Sequence, residues 1–264
     1  MTRAMFRTLP FSYSDSARRA IIKTGLNALG NRKEKFLIVG TGRNGSSLLC
    51  AILANAGADF GVPVREEWDR AKGAFEHPAV HAAYKWYTRA DKIKKSLVPE
   101  RFGYAYCLRK CDALSEKLFK EADFVKSSRL IRLVERMIHA PGRDIRIVGI
   151  YRNFSDYLMS RYKKFGGSFD RWREEWLDVN ATLLMQSKIY PGVLISYEEL
   201  LDPGADRWAK NLSLLTGLEE KTLLTKRNRI VDKSLSQRPL DNTFEDDETQ
   251  ALYRKLSASN PYLP

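Results

Sequence analysis

Three largely apolar runs interrupt the mixed pattern of the chain: FLIVG (36–40), IRIVGIY (145–151), broken by Arg146, and VLISY (193–197). Runs of this length with no polar alternation predict strands buried on both faces, as in a parallel sheet. Elsewhere the apolar positions return at helical spacing. SSLLCAILANAG starts at Ser46, carries Leu48, Leu49, Ile52 and Leu53 along one side, and meets Gly57 as a stop signal. The same spacing predicts helices in PAVHAAYKWYTRADKIKKSL, ALSEKLFKEA, RLIRLVERMIHAPG, FSDYLMSRYKKF and FDRWREEWLDVNATLLMQSKI. Pro141-Gly142 and Pro191-Gly192 close the third and fifth of these. EELLD follows the third strand as a helix, and ADFGVPV (58–64) reads as a further short strand. Strands alternating with helices predict an α/β fold: one domain with a central parallel sheet flanked by helices on both faces.

The first strand runs directly into a glycine loop and then a helix. Gly40, Gly42 and Gly45 spell G-x-G-x-x-G, and Gly40 and Gly45 followed by Ser46 and Ser47 spell G-x-x-x-x-G-S-S. Strand, loop, helix is the context in which either pattern binds phosphate, because N–H groups at a helix start point at an anion. Gly42, Arg43, Asn44, Gly45, Ser46 and Ser47 are the candidate donors. A dinucleotide site also wants an acid at the end of the second strand. Asp59 precedes FGVPV, while Glu66 and Glu67 follow it, so that reading survives weakly. A metal-dependent kinase or NTPase wants lysine where Ser46 stands, and an aspartate after a later strand. IRIVGIY instead runs into Arg152-Asn153. An arginine at the C-terminal end of a strand is a fixed cation suited to phosphate. Ser160 lies eight residues on, about two helical turns away.

With these residues in place the chain resembles the sulfotransferases that use 3′-phosphoadenosine 5′-phosphosulfate (PAPS). GTGRNGSSLL is similar to their 5′-phosphosulfate loop, with Arg43 at the family's Lys/Arg position. IVGIYRNFSDYLMSRY is similar to their 3′-phosphate motif, with Arg152 and Ser160 at its spacing. VLISYEELLDPGADRWAKNLSLLTGL resembles a later segment, and KGAFEHPAV and DFVKSSRLIRLV resemble bacterial members. The resemblance spans about residues 36–220. It implies a P-loop NTPase-like sulfotransferase fold, PAPS as donor, 3′-phosphoadenosine 5′-phosphate (PAP) as product, and no required metal. It implies a carbohydrate or lipid-linked hydroxyl or amine as acceptor. The cytosolic members carry a histidine base before the 3′-phosphate strand. VKSSRL keeps Lys126 but has no histidine, and the cytosolic members' C-terminal glycine-rich segment is missing. Lys233 and Arg238, in RIVDKSLSQRPL, are unassigned basic residues.

The base is therefore sought after the first helix, among Glu66, Glu67, Glu76 and His77. Glu76, in GAFEHP, is preferred on the expectation that it is held partly buried beside Phe75, with its pKa raised toward working pH. Glu67 is second. His77 and His81 are expected on one helix face at i, i+4, as satisfied surface histidines without a third metal ligand.

Composition narrows the class further. The chain has 264 residues, 44% hydrophobic, enough for a sizeable core. Cys50, Cys107 and Cys111 lack C-x-x-C spacing, which argues against a disulfide framework or a zinc site and for a cytoplasmic setting. No run has the length of a membrane span and no secretory leader is read. Net charge is +13, and residues 1–35 hold eight Lys/Arg against two acids. That segment is read as a basic extension, compatible with peripheral membrane contact, and residues 36–264 as the domain. A basic chain also fits a non-catalytic module for nucleic acid or anionic lipid, with Trp68, Trp86, Trp172 and Trp176 as stacking platforms. The resemblance implies a small-molecule or glycan acceptor and no nucleic acid. Oligomeric state is open, with a homodimer among the alternatives.

Overall fold

The computed structural model describes residues 34–61, 75–94, 101–128, 130–138, 144–231, 244, 246–259 and 261. Four strands make one parallel sheet: β1 (Glu34–Val39), β2 (Phe124–Lys126), β3 (Asp144–Tyr151) and β4 (Gly192–Ser196), in the order β2-β1-β3-β4. Ile38 pairs with Lys126 on one side and Val148 on the other, and Ile150 pairs with Ile195. The helices are α1 (Ser46–Asn55), α2 (Pro78–Lys94), α3 (Arg101–Glu121), α4 (Val134–Ile138), α5 (Phe154–Phe165), α6 (Phe169–Ile189), α7 (Tyr197–Leu201), α8 (Arg207–Thr216), α9 (Glu220–Ile230) and α10 (Asp247–Ser257). The expected α/β architecture is the one found.

Both faces of each strand are buried because strand side chains alternate between two helix layers. Phe36, Ile38, Val148, Ile150, Val193 and Ile195 pack with Leu49, Ile52 and Leu53 of α1 and Trp208 and Leu212 of α8. Leu37, Val39, Ile145, Ile147 and Tyr151 pack on the other side with Ala83 of α2, Leu118 of α3 and Leu183 of α6. Trp172 and Trp176 are core residues, joining Phe154, Tyr157 and Leu158 between α5 and α6.

Chain order creates a crevice. From β1 the chain moves outward to β2, then returns across the sheet to β3 on β1's other side. The loops after β1 and β3 therefore diverge, which is where open α/β sheets bind ligands.

Two local expectations need correction, and one strand was not expected. Residues 58–61 are not a strand; Asp59 accepts Asp123 N (3.0 Å) and Phe124 N (2.8 Å) on one carbonyl while its side chain takes Gly61 N (2.8 Å), which bends the chain. Residues 62–64 of that run lie outside the described residues. RLIRLVERMIHAPG does not form one helix. Leu130–Arg132 is a 3₁₀ turn before α4, and Gln186 Nε2 of α6 donates to Ile131 O at 2.9 Å, diverting that carbonyl from a helical ladder. FVK forms β2, which no expectation covered. Residues 1–33 of the expected extension lie outside the described residues; Glu34 and Lys35 open β1.

Candidate active site

The loop after β1 is built around two glycines. A Cβ on Gly40 would lie 2.0 Å from Asn44 Nδ2 and 2.1 Å from Ile150 O, so only glycine leaves room for the loop to close onto β3. Asn44 makes that closure. It is fully buried, its Nδ2 donates to Ile150 O at 2.6 Å, and its Oδ1 accepts Ser46 N at 3.2 Å. Gly45, the residue before α1, has φ 90° and faces the Tyr197 ring, 2.0 Å from where a Cβ would stand. Arg43 adopts φ 76°, a left-handed conformation costing a non-glycine residue about 1–2 kcal/mol and typical of functional loops. Among the described residues the N–H groups of residues 42–45 carry no hydrogen bond. They sit ahead of a ten-residue helix, as an anion site requires.

The second motif is held as firmly. Trp176 Nε1 donates to Arg152 O at 3.0 Å, and Asn153 N donates to Glu198 Oε1 at 3.0 Å. Asn153 Oδ1 accepts Asp156 N at 2.8 Å and caps α5. The Arg152 guanidinium lies 4.4 Å over the Tyr197 ring and 3.2 Å from Asp156 Oδ2. Its Nε is buried without a partner among the described residues, as is Thr41 Oγ1 in the loop.

The two motifs meet. Arg43 Nε donates to Ser160 Oγ at 3.1 Å, across 117 positions of sequence. Burial, then the neighbouring Arg152 and Arg161 cations, hold the Arg43 guanidinium below its ordinary pKa, with Tyr197 opposing. Guanidiniums gathered this closely repel one another, and an anion among them relieves the repulsion.

On the other side of the loop stands Lys126, at the end of β2. It is 4% exposed; its Nζ donates to Ser47 Oγ at 3.2 Å and lies 3.6 Å from Glu76 Oε1. Glu76 is thus beside the glycine loop after β1, but its side chain is 46% exposed and the expected burial beside Phe75 is absent. Phe75 packs instead on Phe60, with ring centres 5.0 Å apart.

His77 also departs from expectation. It is buried ahead of α2: its Nδ1 accepts Ala79 N at 3.1 Å, and its Nε2 lies 3.0 Å from Glu121 Oε2. Its ring is engaged at the helix start and does not share a helix face with the exposed His81. Glu66, Glu67, Trp68, Lys233 and Arg238 lie outside the described residues.

The structure therefore brings together Gly42, Arg43, Asn44, Gly45, Ser46, Ser47, Arg152 and Ser160, with Glu76 reached through Lys126. Sequence reasoning missed Tyr197, which lies against both Gly45 and Arg152, and Arg161. Tyr197 ends VLISY, so its place at a strand's C-terminal end was the available signal. Among the described residues no group of three or more His, Cys, Asp or Glu could hold a metal, and no helix is long and apolar enough to cross a membrane.

No protein-family model matches the chain. No curated protein matches it. Among solved structures, the sulfotransferase domain from the Synechococcus PCC 7002 olefin synthase is 14% identical, with TM-score 0.48, covering 88% of this chain and 98% of that one. A likeness of that degree carries no chemistry from one chain to the other.

Proposed function

We propose that this chain is a sulfotransferase that moves a sulfuryl group from PAPS to a hydroxyl or amine. The observation that carries the reading is the Arg43–Ser160 hydrogen bond, 3.1 Å, which joins a loop suited to a 5′-phosphosulfate to a motif suited to a 3′-phosphate. The buried Nε of Arg152 and the N–H groups of residues 42–45, which have no partner among the described residues, fit a ligand with two anionic ends.

In the reaction the acceptor oxygen or nitrogen forms a bond to sulfur as the bond from sulfur to the bridging phosphate oxygen breaks. The electron pair of the broken bond stays on that oxygen. Arg43 and the start of α1 stabilise the charge gathering there. Lys126, which donates to Ser47 Oγ, takes the role of holding the sulfuryl oxygens in our reading. The acceptor loses its proton to a carboxylate. Glu76, on the Lys126 side, takes this role in our reading, with Glu67 second. The cations come from side chains, which suits a loop with Ser46 at the lysine position and Arg152 where a metal-binding aspartate would stand. The acceptor class, carbohydrate or lipid-linked, the cytoplasmic setting and a homodimer belong to this proposal.

A thermal-shift panel with PAP, AMP, ATP with Mg²⁺, and duplex DNA tests it. PAP is expected to stabilise most. A larger shift with ATP and Mg²⁺, or transfer activity abolished by EDTA and restored by Mg²⁺, would return a kinase. A DNA-dominated, salt-sensitive response would return a binding module. Once an acceptor is found in a screen with labelled PAPS, Glu76→Gln is expected to lose kcat with PAP affinity unchanged; near-normal turnover would pass the role to Glu66 or Glu67.

A further inference from the structure

A third guanidinium stands at the junction of the two motifs. Arg161 follows Ser160 on α5, and its Nη2 lies 3.0 Å from the position of a Cβ on Gly42. The fork thus rests against the phosphate loop at a point where a side chain larger than glycine's would crowd it. It is close enough to Arg43 to lower that residue's pKa.

Arg161 is also held with more care than a surface arginine needs. Its Nε donates to Tyr157 OH at 3.1 Å, and its Nη2 pairs with Glu175. The guanidinium carbon lies 4.9 Å from the Trp172 ring centre, 5.4 Å from Tyr157 and 5.5 Å from Phe165. The side chain is 13% exposed. Three rings and one carboxylate fix the plane of the fork, so little rotamer freedom remains to be lost on binding. Its Nη1 has no protein partner among the described residues. Arg43, bonded to Ser160 through Nε, likewise has both terminal nitrogens without a protein partner among the described residues.

We infer that Arg161 joins Arg152 and Ser160 in a site that selects a terminal phosphate dianion, beside Arg43, which serves the 5′ end of the same ligand. This rests on the donor reading above and deepens it: the dianion is the 3′-phosphate of the nucleotide. Glu175 is the counter-charge that holds Arg161 in place and subtracts from its pull on the ligand. Arg161 is a specificity-determining residue, and Glu175 acts through it.

The opposite signs of two substitutions test this. Isothermal titration calorimetry with PAP and with AMP, which differ only in the 3′-phosphate, is run on the full chain, on Arg161→Gln and on Glu175→Gln. Arg161→Gln is expected to weaken PAP about tenfold, as for loss of a charge-assisted hydrogen bond, and to leave AMP within about twofold. Glu175→Gln keeps the shape of the contact, unmasks the cation, and is expected to tighten PAP about two- to fivefold without changing AMP. A merely structural Arg161 would weaken both ligands alike and would make Glu175→Gln weaken PAP as well; either result overturns the inference. Circular dichroism confirms that each variant is folded, and Arg161→Lys, which keeps the charge, should retain more of the PAP preference than Arg161→Gln. If the unaltered chain holds PAP and AMP equally, the donor reading itself falls. If it prefers PAP and Arg161→Gln keeps that preference, only the role of Arg161 falls.

Discussion

At the N-terminal edge of the sheet, Lys35 and Arg146 are buried among acids and carbonyls; at the C-terminal edge, Arg43, Arg152 and Arg161 converge with fewer. Lys35 Nζ donates to Asp123 Oδ1 at 2.7 Å and Ala122 O at 3.0 Å. Arg146 donates to Leu215 O at 2.8 Å and pairs with Glu34 and Asp144. Two cations there meet three carboxylates. At the other edge three guanidiniums meet two, Asp156 and Glu175, and face N–H groups that add to the positive potential. Positive charge at the first edge is neutralised within the fold. At the second it is less fully paired among the described residues, which in our proposal leaves it for a ligand, and backbone strain at Arg43 marks the same place.

The largest effect that would sharpen this contrast is on turnover. Arg43→Ala is expected to cost about 10²–10³ in kcat, the usual effect of removing a donor to developing charge. A labelled-donor assay checks it, and a loss below about tenfold would move the role away from Arg43.

Next come the two edges set against each other. Arg146→Ala strands Glu34 and Asp144 and should lower stability by about 2–3 kcal/mol in urea titration, with PAP affinity unchanged. Arg152→Ala should do the reverse: PAP affinity falls about 10- to 100-fold while stability moves by less than about 0.5 kcal/mol. Similar stability losses in both variants would erase the distinction.

The smallest effect concerns acid. The Arg173 hydrogen bond holds Asp246, which caps α10, down at about 2. A lowered folded-state pKa means the contribution is present above the unfolded value, about 4, and fades as pH falls toward 2. Tyr253 of α10 donates to Glu198 Oε2 at 3.0 Å, and Glu198 holds Asn153 N. Asp246→Asn should therefore flatten the acid limb of the stability curve between about pH 4 and 2. An unchanged limb would detach α10 from the support of the Arg152 motif.

What could be read in advance follows from chain distance. β1, β3 and β4 carry largely apolar runs, and α5 and α6 have the expected bounds because their periodicity is unbroken and Asn153 and Ser168 cap them. β2 has three residues, too few to show a pattern, and its lysine is the one facing Ser47. The break between Arg132 and Val134 depends on Gln186, more than fifty residues away. The glycine loop after β1 and the Arg152 motif are legible because each is contiguous. That Arg43 touches Ser160, that Tyr197 fills the space beside Gly45, and that Arg161 rests on Gly42 are contacts between separate segments, which one sequence does not reveal. The same limit explains Glu76 and His77, neighbours in sequence with opposite fates: one exposed opposite Lys126, the other buried against Glu121.

The central claim is that one ligand spans both motifs. A crystal structure of the chain with PAP tests it most directly. The account predicts the 5′-phosphate on the N–H groups of residues 42–47 and the 3′-phosphate within hydrogen-bond distance of Arg152 and Ser160, with Tyr197 still under Arg152. PAP bound with only one phosphate in this crevice, or with both phosphates on the β1 loop and Arg152 untouched, would contradict it.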